Sequence, residues 1–173
     1  MREDTPEAHH LRSMQIRDAT PDEYRAVGEL VFRVYRTIIP GLDEYAGELR
    51  DVAGRVAAGV LVWIADVDDE LAGTVSYVPG SGPYAEFDDP AGAGIRMLAV
   101  LPSFQGRGIG EALVRACLDR ARKDGRERVY LDTTQWMETA QRLYARMGFE
   151  RRPELDWEPA TGVKLFKYVY ELT

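Results

Sequence analysis

Residues 95–131 pass through an apolar strand-like run, a glycine-rich turn, a helix-period stretch and a second apolar run. Ile95 to Val100 reads as a strand that Leu101-Pro102 breaks. Gln105-Gly106-Arg107-Gly108-Ile109-Gly110 forms the turn. Ile109, Leu113, Ala116, Cys117 and Ala121 then recur at helical spacing until Gly125, and Val129-Tyr130-Leu131 resumes strand character. A strand, a helix and a strand in immediate succession imply parallel pairing with the helix packed on the sheet.

The other segments add antiparallel pieces. Met14-Gln15-Ile16-Arg17 alternates like a short strand. Thr20-Pro21-Asp22-Glu23 supplies a cap, a proline for the first helical position and a capping-box glutamate. Tyr24, Val27, Val31 and Val34 follow at helical spacing, and Pro40-Gly41 ends the segment. A second helix is expected from about Asp43 to Gly59, with Tyr45, Leu49, Val52 and Val56 on one face. Val60 to Ala65 reads as a buried strand, Asp66 to Glu70 as an acidic turn and Leu71 to Val78 as the returning strand. Residues 79–93 carry Pro79, Pro83 and Pro90 among glycines and acids and read as a loop of functional interest. Trp136, Ala140, Leu143, Tyr144 and Met147 share a helical face that Gly148 closes, a short strand is expected next, and Gly162 to Tyr170 is a final strand. The order β-α-α-β-β-β-α-β-α-β gives an α/β fold: a mixed sheet flanked by helices.

A length of 173 residues suits one domain, expected over 14–173 behind a loose tail at 1–13. The charged start lacks the apolar core of a secretory signal, and no apolar run approaches the roughly 20 residues of a membrane span. One cysteine, Cys117, rules out a disulfide framework within the chain, and it reads as core packing. His9 and His10 sit in the polar leader and make poor metal ligands, so a metal-free cytoplasmic protein is expected. Lys and Arg total 22 against 29 Asp and Glu, a net charge of −7. That balance lacks the basic footprint of a nucleic-acid binder. It suits a solvated surface and, secondarily, a cationic small molecule or basic peptide.

The turn at Gln105 is the chemical feature. Alternating glycines strip side chains from backbone that must approach a ligand, and the helix behind them offers unpaired N–H groups and a positive dipole end. Such a site suits a pyrophosphate, with Arg107 adding charge. It is not a P-loop, since no lysine follows the turn, and it is not a dinucleotide fingerprint, since Glu111 and Leu113 stand where the third glycine would be. By themselves the glycines fit a tight strand-to-helix turn equally well.

Two motifs decide between these readings. Leu98-Ala99-Val100-x-Pro102 followed by Gln105-x-x-Gly108-x-Gly110 resembles the acetyl-CoA-binding motif Q/R-x-x-G-x-G/A of the GCN5-related N-acetyltransferases. Ala140-x-x-Leu143-Tyr144-x-x-x-Gly148-Phe149 resembles that family's second signature, and the resemblance spans about Met14 to Leu172. It implies a mostly antiparallel mixed sheet splayed between strands 4 and 5, with acetyl-CoA as co-substrate and no metal. Gln105, Gly106, Arg107, Gly108, Ile109 and Gly110 would hold the pyrophosphate, and the backbone of Leu98, Ala99 and Val100 would pair with the pantetheine arm. The implied reaction is direct attack of an amine on the thioester. The amine must lose a proton, since its ordinary pKa is about 10.4, and the departing thiolate must gain one. Tyr144 matches the family's acid near the sulfur. Asp132 stands where some members carry a carboxylate base, although a turn-capping Asp fits as well, and Glu86, Asp88 and Asp89 are alternative acids for a cationic substrate. Met137 replaces an asparagine common at that position, which weakens transfer of a peptide substrate class. Acceptor specificity is expected near Tyr35, Tyr45 and residues 79–93. The implied partner is a small-molecule or peptide amine, and homodimers are common among relatives. A non-catalytic acyl-CoA-binding module and an enzyme for a longer acyl-CoA are the rival readings.

Overall fold

The computed structural model describes residues 13–172, so most of the expected tail, with His9 and His10, lies outside the described residues. Strand β1 is Met14–Asp18 and helix α1 is Tyr24–Arg36. The Thr20–Glu23 capping box forms, but it opens a 3-10 turn at Pro21–Glu23 that leads into α1. The expected helix from Asp43 to Gly59 is broken into a 3-10 turn at Leu42–Tyr45, α2 at Ala46–Arg50 and α3 at Val52–Ala57. Asp51 is the reason: its backbone leaves the helical region (φ −82°, ψ 66°), and its side chain accepts from the Gly54 N–H to cap α3. The break rotates the two halves, so Val52 is buried while Val56 is 36% exposed.

Strands β2 (Leu61–Val67) and β3 (Glu70–Val78) form a hairpin. Its turn is tighter than the expected Asp66–Glu70. Only Asp68 and Asp69 lie between the strands, at φ 52° and 64°, the left-handed pair that a two-residue hairpin turn needs. Strand β4 is Gly92–Val100, helix α4 is Ile109–Lys123, β5 is Arg128–Thr134 and α5 is Glu138–Met147. The short β6 (Glu150–Arg151), β7 (Trp157–Ala160) and β8 (Val163–Glu171) complete the chain. The sheet runs β1-β2-β3-β4-β5-β8-β6, with β7 on β8. Its pairs are antiparallel except β4–β5, which is parallel across the α4 crossover. This is the mixed, helix-flanked sheet read from the sequence, with β7 the unexpected strand.

Two helical layers cover the sheet. Leu113, Val114, Cys117 and Ala121 of α4 and Tyr144 of α5 pack on one face with Val75, Tyr77, Ala93 and Ile95. Val27, Leu30, Val31 and Val34 of α1 cover the other face with Leu49 and Val52. A side chain as buried as Leu113 contributes about 2 kcal/mol through apolar area alone. Cys117 is fully buried in the α4 layer, and burial pushes its thiol up, so it is packing.

One irregularity positions the site. Thr74 pairs with Ala99 and Ser76 with Arg96, so Met97 and Leu98 together oppose Val75. This is a β-bulge, and Met97 sits at φ 53°. The inserted residue reverses side-chain parity. Ala93 and Ile95 face the α4 layer, whereas Met97 and Ala99 face the α1 layer.

Candidate active site

Helix α4 begins without a side-chain cap. Its N-cap is Gly108 at φ 78°, and Gly106 also sits at φ 78°. Both need the left-handed region, and a Cβ at either would meet nothing within 4 Å. The turn is therefore open above its backbone. Among the described residues, the backbone N–H groups of residues 106–111 donate to no protein acceptor, and the first to re-enter the helical ladder is Ala112, bonded to Gly108 O at 3.0 Å. Six consecutive unengaged donors at the positive end of a 15-residue helix make an anion cradle. Arg107 lies over the Phe104 ring at 5.3 Å on its rim. Gly110 has no positive φ. It lies where β4 meets α5, and a Cβ there would stand 3.6 Å from Leu143 and 3.8 Å from Val100.

Beside the cradle the sheet opens. Strands β4 and β5 pair from Gly92↔Arg128 to Ile95↔Leu131 and no further, although β4 continues to Val100 and β5 to Thr134. Leu101 N bonds Ala72 O at 2.9 Å, which fixes the alternation in this half of β4. The polar groups of Ala99 therefore turn to β3, and those of Leu98 and Val100 turn into the opening. That corrects the expectation for Ala99, whose backbone is already paired with Thr74. The carbonyls of Leu98 and Val100 are also occupied. Tyr35 Oη donates to Leu98 O at 3.1 Å, and Gln105 Nε2 donates to Val100 O at 3.1 Å. Gln105 thus ties the turn to the strand, and the N–H groups of Leu98 and Val100 are the donors left for the gap.

Tyr144 is 5% exposed, set among Phe149 and Tyr168 at ring distances of 5.5 and 6.1 Å. Its hydroxyl makes no hydrogen bond among the described residues. Burial raises it above the ordinary phenol range, with smaller contributions from Tyr35 and Cys117, so the phenol stays protonated.

At the point where β4 and β5 part, four charged side chains converge. Lys167 of β8 donates to Asp132 Oδ2 at 3.0 Å and to the main-chain carbonyl of Glu86. Both members of the Lys167–Asp132 pair are 5% exposed. Trp157 Nε1 also donates to Asp132 Oδ2, at 3.3 Å, while Asp132 Oδ1 is buried without a partner. Arg96 Nη2 lies 3.0 Å from Glu86 Oε1 and 3.3 Å from Glu48 Oε1. Burial pushes the Glu86 carboxyl up to about 7, the neighbouring Asp132 carboxylate pushes the same way, and Arg96 and Lys167 oppose it.

The expected acids therefore separate. Asp132 lies inside β5, buried in an ion pair, and it does not cap the turn that follows. Asp89 is held by Arg128 at 2.6 Å and Tyr130 Oη at 2.7 Å, and the Arg128 guanidinium holds its carboxyl down at about 2, so it braces the loop. Glu86 alone of the loop acids reaches the seam. Lys167 was not singled out from sequence, and its one signal is a lysine interrupting an aromatic strand. Met137 stands at the N-cap of α5 and packs toward the α1 layer. Among the described residues, no group of three His, Cys, Asp or Glu could hold a metal ion, and no helix is long and apolar enough to cross a membrane.

The model of the acetyltransferase (GNAT) family matches residues 22–149. The uncharacterized N-acetyltransferase YjgM of Escherichia coli strain K12 is 28% identical over 116 residues, covering 67% of this chain and 63% of that protein. Human N-acetyltransferase 8B is 34% identical over 121 residues, covering 66% of this chain and 50% of that protein. This chain thus spans less than two thirds of the length of either relative. The yncA protein of Salmonella typhimurium, solved with its cofactor acetyl-CoA, shares the fold at a TM-score of 0.67 and 20% identity, over 93% of this chain and 95% of that one.

Proposed function

We propose, from the premise that the chain belongs to the acetyltransferase (GNAT) family, that it transfers the acetyl group of acetyl-CoA to an amine. The observation that carries the reading is the juxtaposition of six unengaged amides with a strand pair that opens at Ile95 and Leu131. The amides of residues 106–111 and Arg107 suit a diphosphate. The opening suits an extended arm that pairs with the Leu98 and Val100 N–H groups as an added strand would. That a Salmonella protein of the same fold was solved with acetyl-CoA supports acetyl-CoA as the co-substrate.

The chain's own groups then handle two protons. Glu86, held near 7, accepts the proton that an ammonium must lose before its nitrogen can attack. Asp132 and Lys167 fix that carboxyl's surroundings, and Asp132 acts as a positioning residue. As the new C–N bond forms and the C–S bond breaks, Tyr144 donates its phenolic proton to the departing sulfur. Burial keeps Tyr144 protonated until the C–S bond breaks, and it equally disfavours a thiolate left charged in the same seam, so the proton passes to sulfur as that bond opens. An N–H of Leu98 or Val100 in reach of the thioester oxygen would stabilise its developing charge.

The test is release of CoA thiol from acetyl-CoA, measured against a panel of amines. Acceptor-dependent release is expected, and Tyr144→Phe should lower kcat about 100-fold or more with the unfolding midpoint unchanged. Tight CoA binding with no amine-dependent release would instead mark a non-catalytic acyl-CoA-binding module. Undiminished turnover in Tyr144→Phe would remove that residue from the mechanism.

A further inference from the structure

We infer that the acceptor is a primary amine carrying a bulky apolar, ring-sized substituent close to its nitrogen, an inference that rests on the transferase reading and narrows its substrate. A groove of about 580 Å³ opens beside the Glu86–Asp132–Lys167 cluster, between residues 79–93 and the β7 region. That volume fits a small molecule. Its walls are Pro83, Ala85, Phe87, Tyr130, Leu155 and Trp157. Among the described residues the exposed large hydrophobics are Ile38, Val56, Leu155 and Trp157, and the two most exposed, Leu155 at 43% and Trp157 at 42%, both stand in this groove. Exposed apolar area gathered in one concave place marks a binding surface.

The wall is built, and it is not a loose patch. Phe87 stacks on Tyr130 at 5.1 Å with an interplanar angle of 10°. Gly94 leaves space for that ring, since a Cβ there would come within 2.9 Å of it.

The charges of the lining set the sign of the ligand. Glu48, Glu86 and Asp88 oppose Arg96 and Lys167, an acidic surplus. Both cations are committed to carboxylates, Arg96 to Glu48 and Glu86 and Lys167 to Asp132. A substrate carboxylate or phosphate would find no unpaired cation here, whereas an ammonium meets Glu86. Beyond Glu86, Glu48 is tied to Arg96 and Asp88 stands exposed and hydrated, so the apolar walls between them offer little to the further nitrogens of a polyamine or the hydroxyls of an amino sugar. A ring against Trp157 and Leu155 gains apolar burial instead.

The experiment titrates the full chain, in the presence of CoA, with 2-phenylethylamine, ethanolamine and spermidine by calorimetry, and ranks their kcat/KM as acceptors. The aryl amine should bind about tenfold or more tighter than ethanolamine or spermidine. Trp157→Ala should abolish that preference, while Trp157→Phe keeps it, because the ring survives without the N–H that reaches Asp132. Leu155→Ser should weaken it as a second variant on the same wall. Equal or tighter binding of ethanolamine or spermidine overturns the inference, as does an unchanged preference in both Trp157→Ala and Leu155→Ser. CoA binding is titrated separately: a chain that ignores CoA sinks the transferase reading, while the ranking of the amines still decides the groove's ligand.

Discussion

Replacing Glu86 by Gln removes one ionisation from the centre of the seam and leaves the shape of the side chain. In the folded chain the Glu86 carboxyl is raised from 4.5 to about 7, burial being the main cause. At about 1.4 kcal/mol per pH unit, the ionised form costs the fold about 3 kcal/mol. With the side chain 26% exposed, water relieves part of this, leaving about 2 kcal/mol. Because the folded value lies above the unfolded one, the contribution to stability is fully present below pH 4.5. It is lost as the pH rises through 7 and is constant above that. The Gln variant carries no such ionisation. Subtracting its urea-unfolding free energies from those of the wild-type chain at pH 5, 6, 7 and 8 should therefore leave a curve falling by about 2 kcal/mol. As the base, Glu86 should also give kcat/KM a rise with pH centred near 7, and the variant should lose about 100-fold in rate. A difference curve that is flat from pH 5 to 8 would refute the assignment of a raised carboxyl.

Two further outcomes test neighbouring parts. Gly108→Val places a branched side chain at φ 78° and over the amide cradle, so it should cost about 1–2 kcal/mol in urea unfolding and weaken CoA binding about tenfold or more by titration. Lys167→Met strands the buried Asp132 carboxylate and should cost about 3–5 kcal/mol, whereas Lys167→Met with Asp132→Leu should recover most of it, which a double-mutant cycle in urea measures.

The strand-turn-helix-strand unit was legible because its signals are local: glycines that need left-handed backbone, a helix period and two apolar runs. The parting of β4 and β5 came only with the family resemblance, since neither strand's own residues say where pairing stops. The bulge at Met97 left no trace in the apolar run that contains it, because it is defined by its register against β3. The break at Asp51 was hidden because the apolar spacing continues across it while a capping side chain ends the helix. Strand β7 reads Trp-Glu-Pro-Ala, too short and too proline-marked to be seen alone, and it exists through pairing with β8. Nothing in the local sequence marks Glu86 or Lys167 as buried. What buries them is tertiary, the folding of residues 79–93 over the start of the seam with Phe87 seated on Tyr130.

The single extra residue in β4 makes the length of that strand a matter of odd and even. Deleting Met97 would restore an uninterrupted ladder against β3 and leave the other side chains on their present faces, Leu98 and Val100 toward the α4 layer and Ala99 toward the α1 layer. It would also straighten the bend that carries β4 away from β5, so the parallel pairing could zip onward past Ile95 and Leu131. The product would be a more regular molecule, with one more hydrogen-bonded stretch and no entrance left in the middle of its sheet.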